Sequence, residues 1–245
     1  MEDDEQYKKS KEEPECGGAF NGGNVKYLTT VYDSLYGKER RSVTNALLNI
    51  IIAFFCVVLA VELIFNSFFT GIYVVNVSMT PTFTGAPVTG YYDDGTEIYG
   101  SGGDFIYVSK TAKPDYGDVV VVYRETTNSR GQKVKGNIIK RVVAFGGDTV
   151  EIKGGVLIVN GNEVDEPYVD PSRNTPLLNN YGEHTVKEGC MFLLGDNRNE
   201  STDSRDNGDY PQANLVGVVP QWSINVKSFT TAIYTFFNYT LTGKK

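Results

Sequence analysis

Histidine, cysteine and basic residues are scarce in this 245-residue chain, and each scarcity excludes something. There is one histidine, His184, so a two-histidine metal site cannot form within one chain. The three cysteines, Cys16, Cys56 and Cys190, are odd in number and far apart. Neither a disulfide framework nor a cysteine zinc site follows from that spacing. No cofactor and no metal is expected. Lys and Arg total 23 against 30 Asp and Glu, a net charge of −7. Without a basic surface, nucleic acid is not an expected partner.

Charge is also missing locally. From Ser42 to Val61 no residue is charged, and Ile50 to Val61 is apolar throughout. As a helix this stretch reaches roughly 30 Å, the thickness of a bilayer's hydrocarbon core. Lys38, Arg40 and Arg41 stand just before it, and no Lys or Arg follows until Lys110. By the positive-inside rule the N-terminus is cytoplasmic and the rest lies outside, as a single-pass protein of the cell membrane in contact with lipid. The expected division is a disordered cytoplasmic tail over 1–41, an anchor over 42–65 and an extracytoplasmic domain over 66–228. That domain carries an insertion at 85–101. A last apolar segment, 229–245, is too short to span. It reads as a final strand or a surface-lying piece.

From about Phe68 onward the pattern is β. Ile72–Val77 is β-branched and aromatic. A Gly-Asp pair recurs before apolar runs: Gly103-Asp104, Gly117-Asp118 and Gly147-Asp148. Asn137–Val143 is a further strand. Asn160-Gly161 between Val156–Val159 and Glu163-Val164 marks a hairpin with a type I′ turn. Met191–Leu194 and Leu215–Val219 complete the set, and no long amphipathic helix is expected after residue 70. The fold class is mostly β, a coiled antiparallel sheet or partly closed barrel-like domain behind one transmembrane helix.

Two residues stand out for chemistry. Ser78 follows the strand Ile72–Val77, and Pro81 keeps Thr80 extended or in a turn, so a hydroxyl is presented with little freedom. Lys140 lies on a strand with Ile138 and Val142 on its own face, and Ile139 and Val143 on that of Arg141. With both faces apolar, one of the two cations is sheltered. A sheltered lysine can lose its proton, whereas an arginine cannot. With no second histidine, a serine with a lysine base is the available nucleophilic pair. The polar loop Gly195–Arg205 directly follows an apolar strand, a common functional location. Its spacing does not fit a calcium loop, and ion pairs between its arginines and aspartates are expected to pin it.

Four ordered pieces now converge: Ser78-Met79-Thr80-Pro81-Thr82-Phe83, Gly117-Asp118-Val119-Val120-Val121, Lys140-Arg141-Val142-Val143-Ala144 through Gly147-Asp148, and Gly195 through Arg205. Behind a single N-terminal anchor, this set resembles the bacterial type I signal peptidases, membrane-bound serine endopeptidases that remove signal peptides from secreted preproteins. The resemblance implies Ser78 as nucleophile, Lys140 as general base and Ser201 orienting the lysine amine. It implies an ion-pair set of Arg141, Asp203 and Arg205, and an oxyanion donor from the Ser78 backbone. Substrates would carry small side chains one and three residues before the cut, in a shallow cleft lined by Ile72, Val74 and Met79. The sequence departs from the family where a hydroxyl residue and a Gly usually precede the nucleophile. Here these are Asn76 and Val77, and the Asn76 amide is the expected second oxyanion donor, on the Ser78 face by strand alternation. Gly146 stands where Pro is commoner. The same two departures support a second reading, a membrane-anchored β-domain with weakened catalysis that acts in binding.

Overall fold

The computed structural model describes residues 31–32, 34, 37–93, 97–127 and 133–242. Residues 1–30, and with them most of the proposed tail, lie outside the described residues. The chain divides into two compact units, Met1–Glu62 and Leu63–Lys245.

Helix α1 (Gly37–Phe68) carries the apolar run. Its segment Val43–Phe68, 26 residues of which the most apolar 18 have a mean hydropathy of 2.8, is long and apolar enough to cross a membrane. It extends beyond the expected 42–65 because Phe65 and Phe68 continue the helix to the start of β1.

Strand β1 (Phe69–Tyr73) opens the β region. The hairpin β2 (Val88–Tyr91) and β3 (Glu97–Tyr99) follows, then β4 (Phe105–Ser109), β5 (Val119–Thr127) and β6 (Lys133–Phe145). Next come β7 (Thr149–Lys153), β8 (Val156–Val159) and β9 (Asn162–Glu163). Strands β10 (Tyr181–Thr185) and β11 (Cys190–Leu194), the short helix α2 (Ser204–Asn207), β12 (Tyr210–Pro211) and β13 (Leu215–Val218) lead to the final helix α3 (Gln221–Thr242).

The main sheet has the order β1-β4-β13-β5-β6-β11-β12, and a second sheet the order β10-β7-β8-β9. Among the described residues every pairing between these strands is antiparallel. The domain is mostly β as expected, but its sheets remain open rather than closing into a barrel-like form. The Gly-Asp turns work as read before β5 and β7, where Gly117 and Gly147 take φ of 80° and 95°. Asn160 and Gly161, at φ of 51° and 77°, make the β8–β9 turn in the left-handed region that a type I′ hairpin needs.

Strand β5 explains the core. Val119 and Val121 point into one cluster with Val74, Met79, Phe83, Ile106 and Val108, while Val120 and Val122 point into another with Val142, Met191 and Leu193. Successive side chains face opposite sides of a sheet, so an unbroken Val run belongs to a strand buried on both faces. Burial of each such valine is worth about 1.5–3 kcal/mol.

Two expectations are corrected. Strand β1 ends at Tyr73 rather than at Val77. Beyond it Val75 makes an isolated bridge with Ala86, and Asn76 turns left-handed at φ 65°. The segment 229–241 is not a strand but the body of α3, a long helix where none was expected after residue 70. Its Thr, Ile, Phe and Tyr residues favour strands in isolation, and contacts with β4 override that preference. Thr231 Oγ1 and Ser223 Oγ accept from the backbone N–H groups of Phe105 and Tyr107, at 2.7 and 2.8 Å. Thr230 Oγ1 donates to the Phe105 carbonyl at 2.6 Å.

Candidate active site

Pairing of β5 with β6 sets Val120 opposite Lys140 and Val119 opposite Arg141. The two cations therefore point to opposite faces, and both are buried, at 4% and 8% exposure. Arg141 finds a carboxylate. Its Nε donates to Asp196 Oδ1 at 2.8 Å and its Nη2 to Asp196 Oδ2 at 2.6 Å, a bidentate pair, with the Tyr168 ring over the guanidinium at 3.6 Å. Lys140 forms no ion pair among the described residues. Its Nζ donates to Ser78 Oγ at 2.7 Å and to the Ile139 carbonyl at 2.9 Å. Burial lowers its pKa from 10.5 to about 8, with the Asp203 carboxylate working the other way. An amine in that range is neutral in about one molecule in ten at pH 7, against roughly one in 2,500 for a free lysine.

Ser78 sits in a turn after Asn76, half-buried. The loop after β11 holds that turn in place. Asn197 donates its N–H to the Ser78 carbonyl at 3.1 Å and its side-chain amide to the Val77 carbonyl at 3.2 Å. Asp196, besides binding Arg141, accepts from the Thr82 hydroxyl. Gly195 allows the two segments to touch: a Cβ there would lie 2.2 Å from Ser201 Oγ and 2.5 Å from the Ser78 carbonyl oxygen. The Ser78 N–H meets no acceptor among the described residues.

A cavity of about 280 Å³ opens beside the pair. Ile72, Val74, Asn76, Ser78, Val121, Ile138, Ile139 and Lys140 line it, with Glu97 and Tyr99 of the β2–β3 hairpin. Burial and the hydrogen bond to Glu97 raise the Tyr99 pKa to about 12, so this phenol stays protonated.

The sequence-derived site is partly reassembled. Ser78, Lys140, Ile72 and Val74 come together. Asn76 reaches the same cavity through its left-handed turn, not through strand alternation, which fails beyond Tyr73. Met79 does not line the cavity. It is 1% exposed and packs in the core with Phe83 and Val108. Ser201 does not bond the lysine amine. Its Oγ is buried beside Gly195 with no hydrogen-bond partner among the described residues. The expected set of Arg141, Asp203 and Arg205 separates into two pairs, because Asp196 takes Arg141 while Arg205 Nη2 meets Asp203 at 2.8 Å. Asp203 also caps α2 and accepts from the Gly195 N–H at 3.0 Å. Burial disfavours its charge, but Arg205 and that N–H outweigh it and hold its carboxyl below the usual range.

Sequence reasoning missed Thr82, Glu166 and Tyr168. Glu166 accepts from buried Arg198 and from the Tyr168 hydroxyl. No local pattern marks Glu166 or Tyr168. Thr82 lies within the Ser78 motif, but its partner is 114 residues away. His184 is occupied elsewhere, with Nε2 at 2.8 Å from Asp209.

Comparison with known proteins gives a consistent family. The chain is 34% identical over 122 residues to a probable signal peptidase I-1 of Synechocystis sp., a match covering 47% of this chain and 59% of that protein. It is 39% identical over 95 residues to a signal peptidase I of Bacillus caldolyticus, covering 35% and 52%. The chain thus spans between half and three-fifths of the length of these relatives. A crystal structure of a signal peptidase I from Enterococcus faecalis V583 matches at 32% identity with a TM-score of 0.35, covering 44% of this chain and 98% of that one. The pattern of the signal peptidase family, peptidase S26, runs over residues 47–222. That range takes in the Ser78–Lys140 pair and the whole Gly195–Arg205 loop, and by it this chain belongs to the signal peptidase family, peptidase S26.

Proposed function

We propose that this protein is a membrane-anchored serine endopeptidase that removes N-terminal signal peptides from preproteins. The observation that carries the reading is the 2.7 Å contact between Ser78 Oγ and a buried Lys140 amine whose pKa burial lowers to about 8. A neutral lysine takes the hydroxyl proton as Ser78 Oγ attacks the scissile carbonyl carbon. The Ser78 N–H and the Asn76 amide stabilise the resulting oxyanion. Collapse breaks the C–N bond, and the protonated lysine gives its proton to the departing amine. Water then attacks the acyl-enzyme with Lys140 again as base, and Ser78 is released.

The cavity wall of Ile72, Val74, Ile138 and Ile139 is apolar and small in volume, which favours small substrate side chains one and three residues before the cut. Helix α1 serves as the span, with the basic cluster Lys38–Arg41 on the cytoplasmic side and the β-domain outside. The test is incubation of the full chain in detergent with a synthetic preprotein, the cut being mapped by mass spectrometry. Wild-type protein is expected to cleave after a small residue, and Ser78→Ala to be inactive while retaining its circular dichroism. Wild-type turnover by Ser78→Ala would remove the mechanism.

A further inference from the structure

Helix α3 is amphipathic with its faces reversed for a soluble domain. The face turned to the protein is mostly polar. Ser223, Thr230 and Thr231 bond the backbone of β4, Lys227 binds Asp104 at 3.4 Å, and Tyr234 stacks on Phe105 with ring centroids 4.4 Å apart. The face turned away is apolar: Trp222, Val226, Phe229, Ile233, Phe236 and Phe237 are all exposed, Phe229 by 67% and Phe236 by 64%. At about 100° per residue these six fall within one stripe roughly 100° wide. Contiguous apolar surface of this kind marks an interaction site.

Two observations say what covers it. The first is continuity with the candidate span. That span ends at Phe68, and Phe69, the next residue, meets Trp222 edge-on with ring centroids 5.5 Å apart. Phe65 stacks on Phe69 at 4.9 Å, and Tyr107 lies 6.0 Å from Trp222. The stripe therefore starts where the chain leaves the span, among aromatic rings of the kind that gather at membrane–water interfaces. The second is charge. The chain carries 30 acidic residues, yet none occurs after Asp209, so nothing on α3 repels a lipid headgroup surface.

We infer that α3 lies along the surface of the bilayer, its apolar stripe buried among headgroups and upper acyl chains, as a second lipid contact separate from the span. A surface helix of this kind sinks its apolar face about 5–10 Å. The inference rests on α1 being a span, and its test separates the two. Trp222 is the chain's one tryptophan, so its fluorescence reports one place. Full-length protein is reconstituted into phosphatidylcholine vesicles containing lipid brominated either near the glycerol end or near the methyl end of its chains. A second protein carries Trp222→Phe with Phe236→Trp, which moves the reporter 14 residues, about 21 Å, along the helix. Both proteins are expected to show blue-shifted emission quenched more by the shallow than by the deep bromines. Quenching of Trp222 alone, with the Phe236→Trp protein in water-like emission, would overturn the inference and leave the span intact. Quenching of neither overturns both. Self-association of the unquenched Phe236→Trp protein would mean that a second copy covers the stripe, and it too overturns the lipid contact.

Discussion

Lys140 and Arg141 are adjacent, similarly buried and differ in what surrounds their charge. Asp196 neutralises the arginine, whereas the lysine is left to lose its proton. Cleavage should therefore follow the neutral fraction of Lys140. The expected kcat/KM rises with pH, about tenfold per unit below the pKa near 8, and levels above it. Lys140→Arg should stay inactive at every pH, and initial rates across the range check both. The same group affects stability. Its folded pKa is below its unfolded value, so between about 8 and 10.5 the unfolded chain binds more protons, and stability rises with pH across that window. Denaturation of wild type against Lys140→Met should show the wild type gaining up to about 3 kcal/mol relative to the variant over that window, and no gain below it. At the oxyanion, Asn76→Ala should lower kcat by roughly 10²–10³ with little change in KM, while Asn76→Ser retains much of the rate. Steady-state kinetics decide this, and an unchanged kcat in Asn76→Ala would leave the Ser78 N–H without that partner. Ser78 and Lys140 were legible because each sits in a short motif whose local physics is unusual. The partner of Arg141 was not. Asp196, Asp203 and Asp206 crowd the loop after β11 and the helix α2 at its end, and only the path of the chain decides which carboxylate reaches which guanidinium.

Among the elements, the loop after β11 does the most to shape the site, and Gly195 is where it touches the Ser78 turn. Alanine there would drive a methyl into the Ser78 carbonyl and the Ser201 side chain. Overpacking of this kind costs about 1–3 kcal/mol, and shifting the Ser78 turn by even ~1 Å can cost about 10² in rate. Gly195→Ala should lower the thermal midpoint and reduce cleavage more than any loss of folded protein explains, with calorimetry and rate per folded molecule as the two readouts. Strands with an alternating or unbroken apolar pattern were legible: β4 to β8, β11 and β13. Strands β2, β3, β10 and β12 were not, because each is short, carries no run of apolar residues and forms only against a partner. Helix α3 was hidden for a different reason. Its polar residues recur at helical spacing but face the protein, the reverse of the pattern by which a surface helix is recognised. Gly146 shows a family departure explained by packing. It donates to the Cys190 carbonyl at 3.1 Å, and a Cβ would lie 2.8 Å from the Glu188 Cα, so the proline commoner there fits neither the hydrogen bond nor the space.

For the whole molecule, the proposed anchor sets a topology that can be checked in cells. Protease added outside intact cells should digest the β-domain or its loops and spare an epitope placed at the N-terminus. The basic residues at 38–41 and their absence up to Lys110 motivate this. Protection of the β-domain with loss of the N-terminal epitope would reverse the orientation.

The contact between α3 and β4 also governs where the pairing of β13 with β4 stops. Strand β13 pairs with β4 at Ser109, and beyond that point the β4 margin from Phe105 to Tyr107 has no neighbouring strand on that side among the described residues. Hydroxyls of Ser223, Thr230 and Thr231 occupy it instead. A hydroxyl satisfies an amide but offers no ladder of its own, so no further strand pairs along that stretch of β4. A neighbouring chain therefore finds no template along that stretch of β4, and the strand edges the sheet leaves open are those of β1 and β12.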